Sequence, residues 1–79
     1  MSESSKRLLA ALMVLGAQSP ERALTVDELA GRLGEGTQQV ESGLKQLAEA
    51  GYAMLVQRSG TTKVYLTGTG IITASSTYS

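Results

Sequence analysis

Residues 33–52, LGEGTQQVESGLKQLAEAGY, constrain this chain more than any other stretch. Val40, Leu44, Leu47 and Ala48 recur at spacings of four, three and one, which puts them on one side of a helix with about 3.6 residues per turn. The opposite side carries Gln38, Gln39, Glu41, Ser42, Lys45, Gln46 and Glu49. Gly34 and Gly36 before the pattern and Gly51 after it bound a helix of roughly fourteen residues, with Gly51 placed as the left-handed residue that stops it. Upstream, LTVDELAGRLG repeats the amphipathic theme in a shorter form, and only the residues around 34–36 join the two. So short a link makes two helices cross steeply and keeps them from lying antiparallel at full length.

The chain has 79 residues, enough for one small domain. A domain of this size buries only about 60% of the surface its unfolded chain exposes, so its core is compact and leaves room for a partner to complete it. The absence of cysteine removes disulfides, thiolate metal sites and a cysteine nucleophile. The absence of histidine removes the usual general base and the commonest metal ligand. No catalytic, metal or cofactor-binding residue is therefore expected, and neither Lys45 nor Tyr65 has a polar catalytic partner in its spacing. Seven acidic and seven basic residues cancel, so total charge gives no pull toward nucleic acid, membrane or acidic substrate. The longest apolar run, residues 8–16, is too short for a membrane span and has no processing signal behind it. The expected address is the cytoplasm, with no membrane partner.

Taken in order, the chain opens with a flexible segment, residues 1–5. Ser4 or Ser5 caps a first helix that continues to about Gln18. Leu8, Ala11, Leu12 and Leu15 make one apolar stripe on it and Leu9, Met13 and Gly16 a second. Two stripes mean either a nearly central helix or one buried against another copy. Ser19-Pro20 ends this segment, and Leu24 and Thr25 are candidates for a very short strand. Thr25 also has Glu28 at capping-box spacing, after which Val26, Leu29, Ala30 and Leu33 face inward. Asp27 and Glu28 fit the positive end of that helix, which explains them better than a catalytic carboxylate pair would. Beyond Gly51 the period falls to two, and residues 52–66 read as a hairpin with Arg58, Ser59, Gly60, Thr61 and Thr62 at its tip. Thr67 caps a helical turn holding Ile71, Ile72 and Ala74, which tucks against the first helix. Two glycines and several β-branched residues oppose that helix, and residues 75–79 are expected to be flexible.

This order of pieces resembles the winged-helix regulators of the MarR, ArsR and PadR type. The resemblance lies in LTVDELAGRLG as support helix, TQQVESGLKQLAEAGYAMLVQ as recognition helix and first wing strand, and VYLTGTG as the returning strand. A phrase of the form Tyr-x-Leu-Thr-x-x-Gly often closes the wing in those proteins, and Tyr65, Leu66, Thr67 and Gly70 are a close form of it. The chain departs from the pattern at Glu35, where an apolar residue is usual, at Gly36 in place of a serine or threonine cap, and at Gly43 inside the helix. The fold this implies is α+β, a winged helix-turn-helix with a three-helix core and a C-terminal β-hairpin wing, over residues 6–74.

The function implied is sequence-specific binding of double-stranded DNA by a small transcriptional regulator, with the central helix in the major groove. Thr37, Gln38, Gln39, Ser42 and Lys45 on that helix have side chains suited to phosphates or base edges. Arg58, Thr61, Thr62 and Lys63 on the wing suit flanking phosphates or the minor groove. A homodimer is expected, with Leu9, Met13, Ile71 and Ile72 as its apolar surface. The alternative is a winged-helix module that binds another protein without reading DNA. It draws on the balanced charge and on Glu35, Glu41 and Glu49 at and along the central helix.

Overall fold

The computed structural model describes residues 2–78, so Met1 and Ser79, to which the expected flexible ends extend, lie outside the described residues. Helix α1 (Glu3–Val14) starts earlier than expected because Ser2, and neither Ser4 nor Ser5, is the cap, its Oγ accepting from the Ser5 amide at 3.1 Å. It also stops earlier, at a Schellman turn. Gly16 has φ 77°, the Ala17 amide donates to the Leu12 carbonyl at 2.9 Å, and the Gly16 amide donates to that of Met13 at 3.2 Å. After a 3₁₀ turn (Pro20–Arg22), strand β1 (Leu24–Thr25) runs directly into helix α2 (Val26–Leu33). Thr25 thus serves as strand and as cap. The Glu28 amide donates to its Oγ1 at 3.0 Å, and the Glu28 carboxylate accepts from the Thr25 amide at 3.4 Å.

Helix α3 (Thr37–Glu49) ends as its sequence predicts, with Gly51 at φ 83° and the Tyr52 amide donating back to Leu47 at 2.9 Å. Strands β2 (Ala53–Arg58) and β3 (Thr61–Leu66) follow, and the antiparallel sheet has the order β1-β3-β2. The pairs Gln57–Thr62 and Arg58–Thr61 belong to the ladder, so the turn is only Ser59 (φ 51°) and Gly60 (φ 78°) and not the five-residue tip expected. Positive φ at both positions is what a type I′ hairpin requires.

Helix α4 (Gly68–Tyr78) is longer than the turn expected and includes residues read as a loose end. Its start is fixed by Thr67, whose hydroxyl accepts from the Gly70 amide at 3.0 Å and donates to the Gly51 carbonyl at 2.7 Å. Ala74 is buried, α4 docks against α1 and β3, and Gly70 packs on the Tyr52 backbone; that packing overrides a weak intrinsic preference.

The core gathers Leu8 and Leu12 of α1, Leu29 of α2, Val40, Leu44 and Leu47 of α3, and Val64 and Leu66 of β3. Gly43 lies where α1 crosses α3, its missing side chain replaced by the end of Leu8. Leu9, expected on a dimer surface, is 1% exposed in the single chain and has nothing to offer a second copy. Met13 and Ile71 are half-buried against the same core. Ile72 is 69% exposed, and so is Val14, which the stripe pattern did not single out.

Candidate nucleic-acid interface

α3 docks through Val40, Gly43, Leu44 and Leu47 against α1, α2 and β2. Helical spacing then sets Gln38, Ser42, Lys45 and Glu49 in an outward line, with Thr37 and Glu41 on the flank toward the wing and Gln39 and Gln46 on the flank toward α1. Gln46 is used internally: the buried Ser5 hydroxyl donates to its Oε1 at 2.5 Å, tying α1 to α3. The five residues expected on this helix, Thr37, Gln38, Gln39, Ser42 and Lys45, are all exposed. Among the described residues none of the five has a side-chain hydrogen bond or ion pair recorded within the chain. Their polar groups remain open to an external partner.

The wing divides by parity. Leu55, Gln57, Thr62 and Val64 share the face toward α3, and Met54, Val56, Arg58, Thr61, Lys63 and Tyr65 share the other. A cleft between α3 and the wing is lined by Val26, Glu41, Leu44, Lys45, Leu55, Gln57 and Thr62. Of the wing residues expected at the interface, Thr62 alone lines this cleft. At the tip, where the strands end, Thr61 and Thr62 both line a shallow cleft with Asp27, Thr37, Glu41 and Gly60, although Thr61 belongs by parity to the far face. Arg58 and Lys63 line a separate cleft with Pro20, Glu21, Ala23 and Val56. Lys45 and the two wing cations therefore stand on different faces and form no single positive stripe. Gln57 was missed by sequence reasoning, and its signal is its alternation with the inward Leu55. Its Nε2 donates to Thr62 Oγ1 at 3.5 Å, a long bond that positions both weakly.

Lys45, Arg58 and Lys63 carry no ion pair among the described residues, so their charge is not spent inside the chain. The ion pairs present join Lys6 to Glu3 at 3.8 Å and Arg7 to Glu35 at 3.6 Å. The Glu35 side chain is 13% exposed against 59% for Arg7, so the turn before α3 is held to α1 by a shielded carboxylate where an apolar residue was expected. It does not stand on the outward side of α3. Among the described residues no helix is long and apolar enough to cross a membrane.

No protein-family model matches the chain, and no curated protein is significantly similar to it in sequence. Solved structures do match. TubR from Bacillus megaterium pBM400 superposes with a TM-score of 0.89 at 19% identity, over 99% of this chain and 87% of that one. A Ralstonia eutropha JMP134 protein provisionally described as DNA-binding gives 0.86 at 20% identity, over 100% and 99%. F-93 of SSV1 gives 0.67 at 19% identity, over 96% and 82%. The chain has a winged-helix fold. In winged-helix terms α2 and α3 are the helix-turn-helix, β2 and β3 the wing, and β1 the short strand that joins the wing's sheet to the helical half. At such identities the matches speak to the fold, and they do not single out the MarR, ArsR or PadR families.

Proposed function

We propose that this chain binds double-stranded DNA as a small transcriptional regulator, with α3 in the major groove and the wing on flanking backbone or minor groove. The observation that carries the reading is the outward line Gln38, Ser42 and Lys45, rigidly mounted by a buried apolar side yet without partners in the chain. Glutamine pairs bidentately with adenine, and lysine donates to guanine or to phosphate. The match to a Ralstonia eutropha protein provisionally described as DNA-binding supports the same reading. Arg58, next to the two-residue tip, and Lys63 would meet phosphates along the wing, a contact separate from that of Lys45. The alternative of a protein-binding module loses Glu35 from its motives, because that carboxylate is shielded and paired with Arg7, and keeps the balanced charge, Glu41 and Glu49.

Labelled duplexes, native upstream DNA included, titrated at low and moderate salt test the proposal. Wild-type affinity is expected to fall steeply with salt. Lys45→Ala with Arg58→Ala is expected to weaken binding about tenfold or more and to lower the logarithmic salt slope by about one for each of the two that meets phosphate. Equal binding by both proteins, or no binding to any duplex pool, rejects it.

Two copies acting on a two-fold symmetric site would offset the modest charge of one reader. Support comes from exposed Val14 and Ile72 with half-buried Met13 and Ile71 nearby in the core, Leu9 no longer contributing. Sedimentation at micromolar concentration is expected to give twice the 8.3 kDa of one chain, and a concentration-independent mass of one chain would exclude the dimer.

A further inference from the structure

Glu41 has no structural task that its surroundings explain. It lies in the second turn of α3, beyond the first turn where a carboxylate gains from the helix dipole. It precedes Lys45 by four residues, the order that favours an internal ion pair, yet none forms. Among the described residues no cation from another element meets it either. Both side chains are exposed and line the same cleft, about 6 Å apart along α3. Across the cleft stand the uncharged Gln57 and Thr62, so its two charged groups are one acceptor-only carboxylate and one donor-only ammonium.

A carboxylate near phosphate weakens binding unless its oxygens meet a donor, and in the major groove the donors are the exocyclic amines of cytosine and adenine. A G·C pair offers the cytosine N4 amine beside the guanine O6 and N7 acceptors, the complement of Glu41 and Lys45 together. Resting on the DNA-binding reading above, we infer that Glu41 and Lys45 jointly read one G·C base pair, Glu41 accepting from cytosine N4 and Lys45 donating to guanine. Glu41 then acts as a specificity residue whose cost in phosphate repulsion falls on every sequence and whose gain falls on one base pair.

The test is selection from a random duplex pool by the wild-type chain, by Glu41→Ala and by Glu41→Gln. Wild type is expected to recover sites with a fixed G·C pair. Glu41→Ala is expected to lose a preference of about 5- to 150-fold at that pair, to keep its preferences elsewhere, and to bind the unselected pool at least as well. Glu41→Gln, whose amide also donates, is expected to accept further bases at that position. An unchanged preference in Glu41→Ala, with a uniform gain in affinity, would show that Glu41 only repels and would overturn the inference. A wild-type chain that recovers no site takes down the DNA-binding reading itself.

Discussion

Gly70→Ala is expected to cost about 3 kcal/mol or more in urea unfolding, against a total stability of about 4–12 kcal/mol for a chain of 79 residues. A Cβ at Gly70 would fall inside the Tyr52 carbonyl. A flexible side chain could turn aside; this neighbour is backbone. Nor is α4 free to retreat, because the Thr67 amide donates to that same carbonyl at 3.1 Å and the Thr67 hydroxyl donates to Gly51 at 2.7 Å. The natural control is Gly68→Ala, two residues earlier, where an added Cβ meets nothing within 4 Å. It is expected to be neutral or slightly stabilising. A Gly70→Ala protein within about 1 kcal/mol of wild type would mean that α4 slides on the wing more easily than this geometry allows.

Leu8→Ala is expected to cost about 3–5 kcal/mol, the upper part of the range for a buried leucine. Leu8 is 1% exposed, and its Cδ1 fills the space over Gly43, which has no side chain with which to relax into the cavity. The second substitution gives the test its power. In the wild-type background Gly43→Ala gains about 1 kcal/mol of helix propensity but forces a Cβ against Leu8, so the net effect is near zero or unfavourable. In the Leu8→Ala background the collision is gone, and the same change is expected to recover about 1 kcal/mol or more. Additive effects across the cycle would show that the two residues do not share one space.

The parts legible in the sequence are those fixed by chemistry a few residues long. Thr25 with Glu28, Gly51 as a left-handed stop and Thr67 as a cap each depend on neighbours within about one turn, and each stands where its pattern puts it. What failed depended on distant partners. The two stripes of α1 are visible in the sequence, but how far the chain itself covers them is decided by α3, α4 and β3 together, and the composition of α4 argues against a helix. The wing failed by parity. A five-residue tip leaves the facing of the strands open, whereas the two-residue turn at Ser59 and Gly60 fixes the register and sends Arg58 and Lys63 to the face away from α3. Gln57 became a candidate only once that register was known. The ion pair of Glu35 is not legible in the sequence because its partner Arg7 is far away along the chain.

Strand β1 pairs with β3 only at Val64 and Lys63, whereas the hairpin runs two rungs further, to Gln57–Thr62 and Arg58–Thr61. Among the described residues those rungs have no third strand, so the end of the wing is a cantilever clamped near Val64. Bending it strains two cross-strand pairs and leaves the buried Val64 and Leu66 undisturbed. Deflections of such a tip would belong to the nanosecond-to-microsecond range of loop motion, whereas α3 is held by packing against α1, α2 and β2. One arm of the molecule is therefore anchored along its length and the other only at its base: under the proposed function a duplex would have to fit α3 by shape, while the wing could follow a surface whose curvature differs from one binding site to the next.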